Sequence, residues 1–442
     1  MTPTAASPSG PRKAAWLTAD QEVEGPLKGY HHEAYAVPLP PASSLSGRFR
    51  RAKLREPRPG LLWFDRRSFG NETRLLAALA GRIQCIPVID MSQGFPLHGF
   101  IEGSTLGTSH PVGTRLPPTY LRQLGRLFEQ LVAVKPGELT VEPGCGDEAR
   151  LPDGDTTGFL RGLIHFTEHQ VLRRHNARYG ELFSALGVPP DGLDRLRERA
   201  TGLAHRPFCL LHGDLHRENF VVDADDRIWT IDWELAAIGD PLYDLATHLH
   251  LMGYPEDQEA EAAARWRDAV ASSRPACLSG WENDLPLHLD FKRAQSVCTD
   301  VIRAALTLGA APARADLRDA AERIAPVLAR AERALDMSGV PGVREVEAVF
   351  RAWSTGRVRP HGRIRTRTGS GADTGAEGGA DTGAGAGTRA MTVVVADAGA
   401  GAGAGAGARA DAGAATGIGQ LASSAGVTDS STTSSAASTS EA

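Results

Sequence analysis

Along the first part of the chain, apolar residues come in short, partly alternating runs; beyond Gly103 they recur every three or four positions. The first pattern predicts strands and the second predicts helices. YHHEAYAVPL (Tyr30–Leu39) reads as a strand, the polar turn SSLSG follows, and GRFRRAKLREP reads as a second strand ended by Pro57. NETRLLAALAGRI has helical spacing, with Asn71 or nearby Ser68 as its cap and Gly81 towards its end. IPVIDM and LHGFIEG read as two more strands, so this region forms a small sheet with one helix.

After Gly103, TYLRQLGRLFEQLVAVKP is an amphipathic helix stopped before Pro136, and TGFLRGLIHFTEHQVLRRHNARYGELFSALG is one long helix or a broken pair. A hairpin, FCLL to FVV, interrupts the pattern. Helices resume at EAEAAARWRDAV, HLDFKRAQSVCTDVIRAAL, ARADLRDAAERIAPVLARAERAL and VREVEAVFRAW. The fold class is therefore α+β, with a small β-rich lobe at residues 17–102 and a larger, mostly α-helical lobe at residues 103–355. Residues 1–16 read as a disordered leader. Residues 356–442 are Gly, Ala, Thr and Ser with an AGAGAGAGA tract, too poor in bulky apolar surface to offset the entropy of ordering, and read as a disordered tail. The basic run RVRPHGRIRTR at its start reads as a solvated linker.

Charge narrows the function classes. The 442 residues carry a formal charge of −5 and a pI near 6.3, which gives no global case for nucleic acid or a membrane surface. A phosphate site must be built locally. No apolar run is long enough to span a bilayer and the N-terminus lacks an apolar signal core, so a cytoplasmic protein is expected. Cys85, Cys145, Cys209, Cys277 and Cys298 are scattered without a CxxC pair and read as free thiols. Lysine is rare: Lys13, Lys28, Lys53, Lys135 and Lys292 are all there are.

LLHGDLHRENFVVDADDRIWTIDWE (Leu210–Glu234) concentrates the candidate chemistry. A loop between two apolar strands presents Asp214 and Asn219, and Asp232 follows the turn at Asp223–Asp226. Asp214 is placed to accept or orient a hydroxyl proton, while Asn219 and Asp232 offer the hard oxygens that magnesium prefers. Phosphoryl transfer needs that combination of positioning and charge neutralisation. A plain hairpin with solvated acids accounts for Asp223, Asp225 and Asp226. It does not account for Asp232, which follows the apolar run IWTI, because a buried carboxylate needs a partner or a metal.

HGDLHRENF, IDWE and GDPLYDLA, in that order, resemble the aminoglycoside phosphotransferase and choline kinase-like family, relatives of the protein kinases. The resemblance implies a two-lobed protein-kinase-like fold. It also implies transfer of the ATP γ-phosphate to a hydroxyl of a small molecule, either an antibiotic such as an aminoglycoside or a choline-like or sugar metabolite. In the family's pattern Asp214 is the catalytic aspartate, His212 supports its loop, and Asn219 and Asp232 bind Mg2+. Asp240 and Asp244 match a further signature, with capping and holding the loop as their expected roles. Arg217-Glu218 stands where many relatives have Pro-Gly; Arg217 is expected to touch phosphate or substrate, or to pair with a nearby acid.

A kinase also needs a strand lysine positioned by a helix glutamate. Lys53 in RAKLREP and Glu72 at the start of NETRLLAAL are the expected pair; a snorkelling surface lysine is the alternative, and Lys28 the rival. A G-x-G-x-x-G loop is absent, which leaves the backbone of Tyr30–Glu33 to cover the phosphates. By the resemblance, Phe100, Ile101 and Glu102 form the hinge between lobes, whose backbone would bond an adenine edge.

His165, Glu168 and His169 match H-x-x-E-H, the inverted zinc-protease pattern, in which histidines four apart share a helix face. No third ligand stands out on a matching downstream helix, so a zinc hydrolase is the remote alternative. A catalytically silent nucleotide-binding protein is the nearer one, although such proteins typically lose one of Asp214, Asn219 or Asp232. His248 and His250 read as core-edge histidines. Glu256, Asp257, Glu259, Glu261, Glu282, Asp284, Asp290 and Asp300 would draw a cationic acceptor or, more simply, form a solvated face.

Overall fold

The computed structural model describes residues 23–27, 32–57, 64, 66–92, 96–139, 141, 151–309 and 311–356. The leader, Lys28, Tyr30, His31, Cys145 and the tail lie outside the described residues.

The small lobe is an antiparallel sheet of β1 (Glu24–Leu27), β2 (His32–Pro38), β3 (Arg51–Pro57), β4 (Ile89–Asp90) and β5 (Leu97–Gly99), in the order β1-β2-β3-β5-β4. Alternation along β3 decides what the lobe offers. Ala52 and Leu54 are buried in a small core with Tyr35, Val37, Leu45 and Leu97, so Arg51, Lys53 and Arg55 lie on the opposite face. Helix α1 (Glu72–Leu79) starts at Asn71, whose side chain accepts the Arg74 N–H at 3.1 Å, and buries Leu75, Leu76 and Leu79. Of the two expected caps, Asn71 is the one used. Glu72 is thereby fixed at the first helical position, beside the charged face of β3.

Residues 100–103 lead from the sheet to β6 (Ser104–Thr105), the short helix α2 (Leu106–Ser109) and α3 (Pro118–Ala133). The larger lobe continues with α4 (Thr156–Phe166), a π-helix (Thr167–Arg173), α5 (Asn176–Ala185) and α6 (Gly192–Arg199). The expected long helix is thus the broken pair, and the break is the π segment, where the Arg174 N–H reaches back five residues to the His169 carbonyl at 3.1 Å. Strand β7 (Cys209–Leu211) pairs with β10 (Ala237–Gly239), and β8 (Phe220–Val222) pairs with both β9 (Ile228–Thr230) and β6. Helices α7 (Pro241–Met252), α8 (Glu256–Ser273), α9 (Trp281–Leu308), α10 (Arg314–Leu335) and α11 (Val343–Ser354) complete it.

The fold is two-lobed and kinase-like, as expected, and two cores hold the larger lobe. One gathers α4, the π-helix, α5, α6 and α9–α11; the other gathers α3, β7, α7 and α8 and reaches up to α1. Among the described residues, no helix is long and apolar enough to cross a membrane.

Candidate active site

The loop from His212 to Asn219 is pinned from below. Asp244, buried on α7, accepts the backbone N–H groups of His212 (2.7 Å) and Gly213 (2.8 Å). Burial raises its carboxyl to about 6, against the pull of those two bonds and of the Lys292 charge. Gly213 sits at φ +83, and a Cβ there would come within 2.5 Å of the Leu235 carbonyl, so only glycine lets the loop pass this close to the segment after Asp232. One turn earlier on the same helix, Asp240 caps α7 through the Leu242 N–H and is gripped by Arg206 at 2.9 and 2.7 Å. Both acids therefore have the holding roles expected of them.

His212 is fully buried. Its Nδ1 accepts the Asp214 N–H at 3.3 Å, which leaves Nε2 to donate to the Ile231 carbonyl at 3.1 Å, and its ring stands edge-on to Trp233. Burial pushes it down to about 4, so it is neutral and ties the loop to β9. The Asp214 side chain accepts from Asn219 Nδ2 at 3.0 Å and from His216 Nε2 at 3.2 Å. Burial alone would raise this carboxyl, but the His216 hydrogen bond and the charges of His216 and Lys292 hold it below its ordinary value. It is a carboxylate with one face engaged and its side chain 29% exposed.

Asn219 Nδ2 also donates to the Asp214 carbonyl at 2.8 Å, so Oδ1 is the atom left for a cation. The Ile231 N–H bonds the Asn219 carbonyl at 2.9 Å, which sets Asp232 beside Asn219. Asp232 adopts φ +65, ψ +66, a left-handed conformation that costs a non-glycine residue about 1–3 kcal/mol. That turn lifts its side chain out of the apolar strand, to 39% exposure, and towards the small lobe.

The expected ion pair between Lys53 and Glu72 is not made. Arg55, two residues further along the same face of β3, pairs with Glu72 instead and reaches Asp232 at 3.2 Å. The reason is reach and shape: Arg55 sits nearer the helix start, and its planar fork spans two carboxylates at once. Glu72 uses its other oxygen to accept the Trp233 N–H at 2.9 Å, which joins α1 to the segment after Asp232. Lys53 makes no ion pair among the described residues. Burial and the Arg55 charge lower its amine, while Asp232 and Glu72 work the other way. Among the described residues of this face, Arg51 and Arg55 are held by carboxylates and Lys53 is not. Below it, Glu234 binds Arg67 at 2.6 Å with His32 3.7 Å away.

At the lobe junction the Phe100 N–H is bonded to the Arg51 carbonyl at 2.9 Å, and the Arg51 guanidinium covers the Phe100 ring and grips Glu102 at 2.8 and 2.7 Å. Among the described residues no hydrogen bond engages the backbone of Ile101 or Glu102, so those groups stay free for a ligand edge. Gly103 follows in close contact with the larger lobe: a Cβ there would lie 2.1 Å from the Val222 carbonyl.

Arg217 overturns both of its expected roles. It is 2% exposed and donates to three backbone carbonyls, Met252 (2.7 Å), His110 (2.6 Å) and Thr114 (2.8 Å), so it staples the loop to α7 rather than meeting phosphate or an acid. Glu218 accepts from Thr105 at 2.7 Å. The acids proposed to draw a cation are largely engaged: Asp257 and Glu261 by Arg115, Asp284 by Arg206, Asp290 by Arg293 and Arg333, and Asp300 by Arg303. What opens beside the loop is apolar instead. A cavity of about 350 Å³ is lined by Phe69, Phe159, Phe166, Phe208, Tyr243 and Phe291 and touches Gly213 and Leu235.

Sequence reading missed His216, Arg55 and Lys292. His216 carried a signal, since it lies within the motif; Lys292 carried only the rarity of lysine.

No curated protein sequence matches the chain. Among solved structures it is similar to the macrolide 2'-phosphotransferase MphH from Brachybacterium faecium, with 21% identity over 72% of this chain and 93% of that one and a TM-score of 0.43. It is also similar to the choline kinase LicA from Streptococcus pneumoniae, with 15% identity over 76% and 98% and a TM-score of 0.41. A third is a thermostable mutant of the aminoglycoside phosphotransferase APH(4)-Ia in a ternary complex with ADP and hygromycin B (15%, 77% and 98%, 0.38). These likenesses are distant, and the architecture rests on the chain's own elements. The model of the phosphotransferase enzyme family matches residues 29–282, more than half of the chain, from the edge of the small lobe through the pinned loop to the start of α9. The chain belongs to this family of phosphotransferases acting on small molecules.

Proposed function

We propose that the protein transfers the γ-phosphate of ATP to a hydroxyl of a small molecule. The observation that carries this reading is the Asp214 side chain, held ionised and part-exposed by Asn219 and His216 on a loop that Asp244 fixes. Asp214 takes the hydroxyl proton as the acceptor oxygen bonds to phosphorus; the bond from phosphorus to the bridging oxygen breaks, and ADP departs with that electron pair. Lys53 offers its unpaired amine to the phosphates, and the free backbone at Ile101–Glu102 suits an adenine edge.

Magnesium fits the donors present. Asn219 has only Oδ1 to give, and Asp232 is turned outward by its left-handed backbone, so both supply hard oxygens. When bound there, Mg2+ neutralises charge on the phosphates. In its absence Arg55 balances Asp232.

The acceptor favoured by the surroundings has a sizeable apolar face. The cavity beside Gly213 is walled largely by aromatic rings, and most acids that would greet a polycation are bound to arginine. A screen of ADP release over macrolides, aminoglycosides, choline-like amines and sugars tests this, with Asp214→Ala as blank. Turnover is expected with an amphipathic alcohol and is lost by about 100-fold or more in the variant, with ATP-analogue binding retained. Turnover that survives in Asp214→Ala refutes the reading; ATP binding with no turnover on any class points to a silent nucleotide-binding protein.

A further inference from the structure

The H-x-x-E-H segment has no part in the site above. His165 lies in the last turn of α4, and Glu168 and His169 lie in the first turn of the π-helix. One ligating atom from each falls within 4.8 Å of the others, and the two imidazole rings lie 4.1 Å apart between centroids. His165 is exposed, His169 half-buried and Glu168 only 2% exposed.

Glu168 is the unusual member. Neither of its oxygens accepts a directed hydrogen bond, and its charge is met by Arg173 and by Arg197 at 3.8 Å. Both arginines have a second carboxylate in Asp194, bound to Arg197 and lying 3.2 Å from Arg173. Arg197 also reaches His165 Nδ1 at 3.3 Å, which leaves His165 Nε2 to offer a metal, and with Asp194 both arginines can stay paired while Glu168 turns outward. A buried carboxylate without directed bonds is costly, and a cation shared with two imidazoles would satisfy it.

We propose that His165, Glu168 and His169 form a binding site for a divalent transition metal, zinc foremost. Two imidazole nitrogens and one carboxylate oxygen suit a borderline ion such as Zn2+, whereas Mg2+ demands oxygen donors, so the site discriminates against the ion that phosphoryl transfer uses. Three protein donors leave one position for water. The segment's inner face, Phe166 and Thr167, lines the cavity beside Gly213, while none of the three ligands does. The ion therefore sits on the outer side and clamps the α4–π junction that walls the cavity. A hydrolase would need its metal inside a cleft.

The test uses untagged, full-length, chelator-treated protein without nucleotide. Calorimetric titration with Zn2+ is expected to give one ion per chain, with Mg2+ giving no such binding, and the thermal midpoint rises with zinc concentration. Co2+ in place of Zn2+ is expected to produce the visible bands of a low-symmetry site. His165→Ala removes an exposed side chain and leaves the fold intact. It should weaken zinc by more than the about 10- to 100-fold that loss of an outer-shell partner costs. Glu168→Gln is the second variant and should weaken it likewise. Absence of saturable 1:1 binding overturns the proposal, as does 1:1 binding that His165→Ala and Glu168→Gln both leave unchanged.

Discussion

The Arg55 guanidinium lies 3.2 Å from the Asp232 carboxylate and at the same time pairs with Glu72, so one side chain links α1 to the segment that follows β9. Arg55 and Glu72 are almost buried, at 12% and 13% exposure. Removing one partner strands the other, which costs about 3–5 kcal/mol in a buried pair. Arg55→Met should lower the urea unfolding free energy by an amount of that order. Lys53→Met, which breaks no ion pair, should change stability by less than about 1 kcal/mol and instead weaken nucleotide binding. If the two variants exchange phenotypes, Arg55 is the phosphate ligand and Lys53 the structural cation.

That exchange shows what was legible in the sequence. The strand pattern put Lys53 in β3, and helical spacing after the Asn71 cap put Glu72 at the start of α1. The pairing itself depended on which of two same-face cations reaches the helix, a matter of lobe geometry that no local pattern carries. HGDLHRENF was legible because its residues act within one loop, and Asp240 because capping is local; Asp244, whose partners His212 and Gly213 lie about thirty residues away, was legible only through the GDPLYDLA signature. Arg217 was misread because its partners, the carbonyls of His110, Thr114 and Met252, come from distant turns. The sequence left one long helix and a broken pair as alternatives there, since a single π stretch of seven residues is too short to shift the apolar pattern visibly.

Arg206 is the largest buried commitment outside the cleft. It has no exposed surface, and it grips Asp240 twice, pairs with Asp284 and donates to the Ser279 carbonyl at 2.8 Å. Burial acts against the Asp240 carboxyl, but the Arg206 hydrogen bonds, with the His288 ring 3.3 Å away, hold it well below the usual carboxylate range. Arg206→Met leaves Asp240 and Asp284 uncompensated inside the lobe. It is expected to destabilise the chain by about 3–5 kcal/mol in urea titrations. A loss under about 1 kcal/mol would mean that water reaches the pair.

Acid should unfold this protein through its histidines. Burial pushes His32 and His212 down to about 4 and His98, His248 and His250 down to about 3. Each stays neutral in the folded chain while the unfolded chain takes up a proton near pH 6.5, so stability is lost as pH falls below about 6.5. Asp244 works in the opposite direction. Its folded carboxyl, raised to about 6, binds a proton that the unfolded chain releases near pH 4, which adds stability on acidification between those values. Two units correspond to about 3 kcal/mol, as an order of magnitude. Asp244→Asn should therefore show a steeper loss than the parent between pH 6 and pH 4, read from urea midpoints at several pH values. Parallel profiles would place the Asp244 carboxyl at its ordinary value.

Lys292 on α9 is 6% exposed, and among the described residues no carboxylate touches it; its amine bonds Gln295 Oε1 at 2.7 Å and sits 5.0 Å over the Tyr243 ring. A buried cation with only neutral contacts is unfavourable unless a longer-range field sustains it. Here that field comes from Asp214 and Asp244, both of which its charge pulls downward. His216 shares the work at Asp214, and the loop is held independently by Asp244, so Lys292→Met should leave the fold in place and stability unchanged or higher. Its effect should fall on proton transfer. With one cation fewer, Asp214 moves up towards its ordinary value, and the acid limb of kcat/KM against pH moves up with it while the ATP dissociation constant holds. An acid limb that stays where it was, with kcat lowered evenly across pH, would confine Lys292 to packing between Tyr243 and Gln295.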